Sequence, residues 1–396
     1  MRRSLLFFCI LLLFVFEIAR VYLIMPFPGS QKINTVGIAY WLHHNITWIR
    51  LFLLVSLAIL SWVVWRKYGK PARILTIFSL VAYVVLFYFF NYRFQADKMF
   101  HQPSTLSMVK SKSNKIAADR LVIGVSMNGE AKAYPVQLIG YHHQVRDTIG
   151  NVPVMITYCT VCRTGRVFSP EINGRPESFR LVGMDHFNAM FEDGTTGSWW
   201  QQATGRAIAG PLAGQSLREL PSRQASLQSW LTQYPEALVM QPDSNYLRHY
   251  KDLEAFDKGT ISSSLEKRDS GSWKFKSWVL GVKNHSFARA YDWNLVLQKK
   301  LIEDSVGSMP LLILVEKDSA SFHAWNRSLE GRTMHFSLSP AGDQLQDLDT
   351  RSSWNMDGLC IDGPLKGNKL QKLQAYQEFW HSWRNFNPNT TRYQVE

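Results

Sequence analysis

The segment Tyr141–Phe168, YHHQVRDTIGNVPVMITYCTVCRTGRVF, decides how the rest of the chain is read. Two β-like runs, His142–Thr148 and Val152–Tyr158, flank Gly150-Asn151, a pair suited to a two-residue hairpin turn. That turn fixes a register in which His142 opposes Cys159 and His143 opposes Tyr158. Directly opposed residues share a sheet face with Cβ atoms roughly 5 Å apart. The expected outcome is an imidazole beside a thiol, with Cys162 one short loop further on.

A second stretch serves as an internal comparison. The sequence from Leu121 to Cys159 aligns without a gap on that from Trp278 to Glu316. Gly124, Ala133, Tyr134, Asp147, Gly150 and Pro153 meet Gly281, Ala290, Tyr291, Asp304, Gly307 and Pro310. GRAIAGPLAGQSL from Gly205 echoes GLCIDGPLKGNKL from Gly358, and the Trp230-to-Pro235 stretch echoes Trp383-to-Pro388. Two tandem related modules are therefore expected, each the size of a compact unit. In the second copy Lys299 and Glu316 replace His142 and Cys159, which predicts a cross-strand ion pair, and Ser319 replaces Cys162. The second copy reads as degenerate, without a site of its own.

Each module reads as β-rich. Leu121–Met127 and Glu130–Pro135 form a hairpin around Asn128-Gly129, and Arg166–Ser169 and Ser178–Val182 follow, with a turn at Asn173-Gly174. Helical pattern is confined to Arg223–Gln233 and Leu370–Phe386. The expected fold class is a set of N-terminal transmembrane helices followed by an α+β, β-rich exported region. Its expected divisions are a membrane anchor at 1–95, a first module at 100–245 carrying the Cys/His site, a polar linker at 246–275 and a second module at 276–396.

Apolar runs at 5–25, 48–66 and 73–92 approach the ~20 residues that a bilayer core requires. The first carries Glu17 and Arg20, and no small-residue cleavage pattern follows it, so a retained span is expected rather than a removed signal. Arg2 and Arg3 precede it, and Arg66, Lys67, Lys70 and Arg73 lie between the second and third runs. The loop after the first holds only Lys32. The positive-inside rule then places the N-terminus in the cytoplasm and everything after Tyr92 outside, periplasmic or extracellular. The bilayer is the one expected partner. Of the net charge of +13, residues 93–396 keep only +5, thirty-five Lys/Arg against thirty Asp/Glu, which removes the main support for a nucleic-acid partner.

The four cysteines are too few for a disulfide scaffold. Three readings of Cys159/Cys162 compete. In the first, His142, Cys159 and Cys162 ligate a metal, zinc or, outside the cytoplasm, copper, with His143, Met184, His186 or Asp193 as weaker candidates for a fourth ligand. In the second, the pair does thiol redox chemistry, with His142, Arg163 and Arg166 stabilising a thiolate. In the third, it is a plain disulfide or a buried thiol pair with no function, the disulfide serving as a structural bond in a non-enzymatic assembly or sensing module. Asp193 or His186 as a general base would make the chain an enzyme, but no GxSxG, P-loop or HExxH motif occurs.

At these positions the chain resembles the bacterial and archaeal family called domain of unknown function 3179. His142, Asp147, Tyr158, Cys159, Cys162, Asp193, Thr196, Ser198, Trp200, Thr204 and Gly205 fall on that family's pattern over about residues 120–240. Three departures occur: His143 stands where the family has an acid, Thr160 replaces a proline and Gly194 an arginine. The resemblance implies the domain and no particular reaction.

Overall fold

The computed structural model describes residues 2–394. They fall into two compact units. The first contains the residues up to His101 together with Pro176–Gln201 and Arg206–Ser216, and the second contains the remainder.

In the first unit three helices are long and apolar enough to cross a membrane: α1 (Arg2–Tyr22), α2 (Val36–Lys67) and α3 (Lys70–Tyr92). Their outward faces carry large apolar side chains such as Phe8, Trp48, Phe52, Ile74 and Phe78, as contact with lipid requires. Glu17 and Arg20 do not weaken the first helix, because neighbouring helices meet their polar groups. Glu17 is fully buried and accepts from Arg50 Nη2 at 2.7 Å, Tyr83 Oη at 3.2 Å and Asn91 Nδ2 at 3.2 Å. Arg20 Nη2 donates to Asn91 Oδ1 at 2.5 Å. Polar groups in a bilayer are found in such internally paired sets.

The second helix is 32 residues long and starts twelve residues before the run at 48–66 expected to span. Its added N-terminal turns pack on a four-stranded antiparallel sheet made of Phe179–Asp185, Asn188–Asp193, Trp199–Gln201 and Ala207–Ala209. Val36 and Ala39 of the helix, with Ile24, share one apolar cluster with Val182, Met190, Trp199 and Ala209. The Tyr40 ring meets Trp199 edge-on at 5.2 Å, and Met184 N donates to Ile24 O at 2.6 Å.

The second unit begins with a five-stranded sheet. Leu121–Met127 lies between Glu130–Pro135 and Arg223–Ser226, and Leu238–Met240 and Met108–Lys110 extend it beyond Glu130–Pro135. The hairpin turn at Asn128-Gly129 has positive φ at both residues, as does Gly150-Asn151; such turns match the twist of the strands they join. The expected register around Gly150-Asn151 is present from Gln144 opposite Thr157 to Ile149 opposite Val152, and Thr164–Phe168 adds a third strand beside Val152–Cys159. The strand expected to start at His142 starts at Gln144, and Val136–His142 is a short helix that ends where His143 takes φ 62°. His142 is therefore no strand partner of Cys159.

Further along, Trp278–Asn284 pairs with Phe287–Asp292, the helix Trp293–Lys299 follows, and Leu301–Val306, Met309–Val315 and Phe322–Asn326 form another antiparallel set. Lys299 likewise ends a helix, and Glu316 is hydrogen-bonded to Arg223, Ser229 and His323. The expected cross-strand pairing of Lys299 with Glu316 is thus replaced by this set. The strands Arg223–Ser226 and Ala375–Phe379 lead into the helices Leu227–Gln233 and Trp380–Phe386, so only the latter part of each expected helical stretch is helix.

Candidate functional site

Cys159 closes the strand Val152–Cys159, paired with Thr164, and Cys162 lies in the tight turn that follows, where Arg163 N donates to Thr160 O at 3.2 Å. Both side chains are fully buried. Their sulfurs are hydrogen-bonded neighbours. Burial is the largest influence on the Cys162 thiol, and with Cys159 beside it pushes the pKa well above the ordinary range; Lys276 and Ser382 oppose the shift only in part. The Lys276 ammonium is itself lowered by burial, with Cys162 and Cys159 working the other way.

The shell around this turn comes from far along the chain. Lys276 Nζ donates to Val161 O and to Leu265 O, each at 2.6 Å, and His381 Nε2 donates to Val161 O at 3.2 Å. Burial holds His381 down at about 3, so its imidazole is neutral. Thr160 Oγ1 donates to Glu266 Oε1 at 2.6 Å, and Phe379 N donates to Cys162 O at 3.1 Å. Arg163 donates to Gln377 Oε1 at 2.9 Å and lies 3.8 Å over the Trp278 ring. Arg166 pairs with Glu378 and lies 3.6 Å over Tyr376. Both arginines, expected to stabilise a thiolate, thus have buried partners of their own. Lys276, Glu378, His381 and Ser382 had no signal in the sequence, since they reach the turn only through tertiary packing over more than a hundred residues.

His142 and His143 belong to the same unit. His142 Nε2 is 2.6 Å from Tyr250 Oη, and its ring packs edge-on against Tyr141 and Tyr246. Nδ1 of His143 donates to Tyr141 O at 3.1 Å, and burial holds this ring at about 4. Tyr250 comes from the stretch 246–275, which also buries Leu253, Phe256 and Ile261.

Met184, His186 and Asp193 belong to the first unit. Hydrogen bonding to Asp185 Oδ1, 2.5 Å away, raises the His186 imidazole above its ordinary value. Asp193 accepts from Thr196 N at 2.5 Å, Thr196 Oγ1 at 2.9 Å, Ser198 N at 3.1 Å and Trp200 Nε1 at 2.9 Å. A carboxylate so occupied holds a loop in shape and has little capacity left for a ligand. Asp347 accepts in the same way from Thr350 and from Trp354 Nε1. Among the described residues no group of three or more His, Cys, Asp and Glu side chains is arranged to hold a metal ion. The metal reading of His142, Cys159 and Cys162 finds no support in such a group.

A family model described as "Protein of unknown function (DUF3179)" matches residues 101–390. No curated protein and no solved structure matches the chain.

Proposed function

Because the chain belongs to the DUF3179 family of proteins of unknown function, we propose that it is a membrane-anchored, exported, non-enzymatic assembly or sensing module in which Cys159 and Cys162 form a structural disulfide. The observation that carries this reading is the complete burial of both sulfurs, with the acidity of Cys162 suppressed. A nucleophilic or redox-active cysteine needs the reverse, a thiolate stabilised and open to a partner. In an oxidising compartment two neighbouring thiols lose two protons and two electrons to a disulfide donor and become one bond.

Several coincidences support two tandem related modules. Tyr134 donates to Asp147 Oδ2 at 2.7 Å, and Tyr291 to Asp304 Oδ2 at 2.8 Å. Gly124 lies against Trp230 as Gly281 lies against Trp383. Asp193 and Asp347 gather the same Thr and Trp donors. The basic residues at the N-terminus and those at the facing ends of α2 and α3 (Arg66, Lys67, Lys70 and Arg73) support an orientation with the family region outside.

The test is thiol counting on protein purified from the membrane without reductant. After unfolding, alkylation should modify Cys9 and Cys360 at once, and Cys159 and Cys162 only after reduction. Immediate alkylation of all four cysteines would refute the disulfide. The short loop closed by this bond corresponds to about 2 kcal/mol, so a Cys159→Ser, Cys162→Ser double variant should lose a stability of that order.

A further inference from the structure

A cavity of about 390 Å³ opens in the second unit, between the strand Leu121–Met127 with the helix Leu227–Gln233 and the strand Phe322–Asn326 with residues 372–375. Its size is that of a small-molecule site. It shares no lining residue with the shell of the Cys159–Cys162 turn. We propose that this cavity binds a small carboxylate with a ring or other apolar body.

The polar groups of the wall select for such a ligand. Two cations line it, Arg223 and Lys372, and no carboxylate does. The side-chain amide acceptors of the wall are already in use. Gln233 Oε1 takes a hydrogen bond from Arg223 Nη1 at 2.6 Å, and Gln374 Oε1 takes one from Ser222 N at 3.1 Å. Glu316, beneath the wall, accepts from Arg223, Ser229 and His323. Burial raises its pKa, but the His323, Arg223 and Ser229 contacts outweigh burial and leave it near 2, while burial keeps His323 neutral at about 4.

Donors remain to spare. The Lys372 side chain is 42 % exposed and pairs with Asp357 at 3.6 Å, which leaves further N–H donors of its ammonium to give. Tyr234 Oη accepts from Gln233 Nε2 at 3.3 Å, which leaves its own proton to give. A wall with surplus donors and committed acceptors favours an acceptor-rich anion. Trp230, Phe322 and Leu373 supply apolar surface for the rest of the molecule.

Calorimetric titration of the full chain in detergent tests this, with benzoate and glucuronate as probes and benzyl alcohol and glucose as their neutral counterparts. Saturable binding is expected for at least one carboxylate, about tenfold or more tighter than for its counterpart. Lys372→Met, at an exposed position, should weaken that binding about tenfold without changing the melting temperature, and Tyr234→Phe should weaken it by a smaller factor. The inference is overturned if neither carboxylate binds saturably, if the neutral counterparts bind as well, or if both variants bind like the parent. None of these outcomes depends on the state of Cys159 and Cys162.

Discussion

Asp193 and Asp347 each collect hydroxyl, backbone and indole donors within their own loop. Replacing either by Asn swaps an acceptor for a donor facing an indole N–H. The expected loss is about 1–3 kcal/mol of stability for each, read from chemical denaturation of the detergent-solubilised chain. A second prediction concerns acid. His143 and His323 are held at about 4 and His381 at about 3, all chiefly by burial, against an ordinary 6.5. Below 6.5 the unfolded chain takes up protons that the folded chain refuses, so these groups contribute stability that is complete above that value and lost as the pH falls toward 4. Each costs about 1.4 kcal/mol per pH unit across that window, and Glu316 adds to the loss below its ordinary 4.5. The melting temperature should fall steadily as the pH drops from about 7 to about 5, and a level profile would contradict neutral burial. The chemistry of Cys159 and Cys162 was visible in the sequence as a pair, but its surroundings were not. His142 looked like a strand residue facing a thiol and instead meets Tyr250, more than a hundred positions later.

At the level of elements, turns were legible and short helices were not. Gly150-Asn151 and Asn128-Gly129 announce positive φ, and a two-residue turn leaves the strands one register. The helix Val136–His142 is a short apolar run, a length at which strand and helix patterns look alike. Its end is also disguised, because His143 takes the left-handed conformation in which a glycine would have signalled a C-terminus. Lys300, at φ 60°, hides the end of Trp293–Lys299 in the same way. Where glycine does appear inside a strand, it marks contact with a neighbour. A Cβ on Gly124 would stand 2.3 Å from the Trp230 ring, and one on Gly281 2.3 Å from Trp383. Gly124→Ala and Gly281→Ala should each cost about 1–3 kcal/mol or more, seen as a lowered melting temperature, because the added methyl overlaps an indole held in an apolar cluster. Parental stability in both variants would show that these helices are loosely seated.

For the whole molecule, the sequence divides at the end of the third apolar run, whereas the chain packs otherwise. The sheet from Phe179 to Ala209 groups with the membrane helices, and the remaining strands group together. Nothing local in Phe179–Asp185 announces that partnership; it depends on Val36, Ala39 and Ile24 reaching the same apolar cluster as Val182 and Met190. At 1.5 Å per residue, the 32 residues of α2 make a rod of about 48 Å, some 18 Å more than a hydrocarbon core needs. Mast and bracket are thus one piece: the same rod whose apolar length suits a bilayer also carries, on its first turns, the side chains that clasp the sheet.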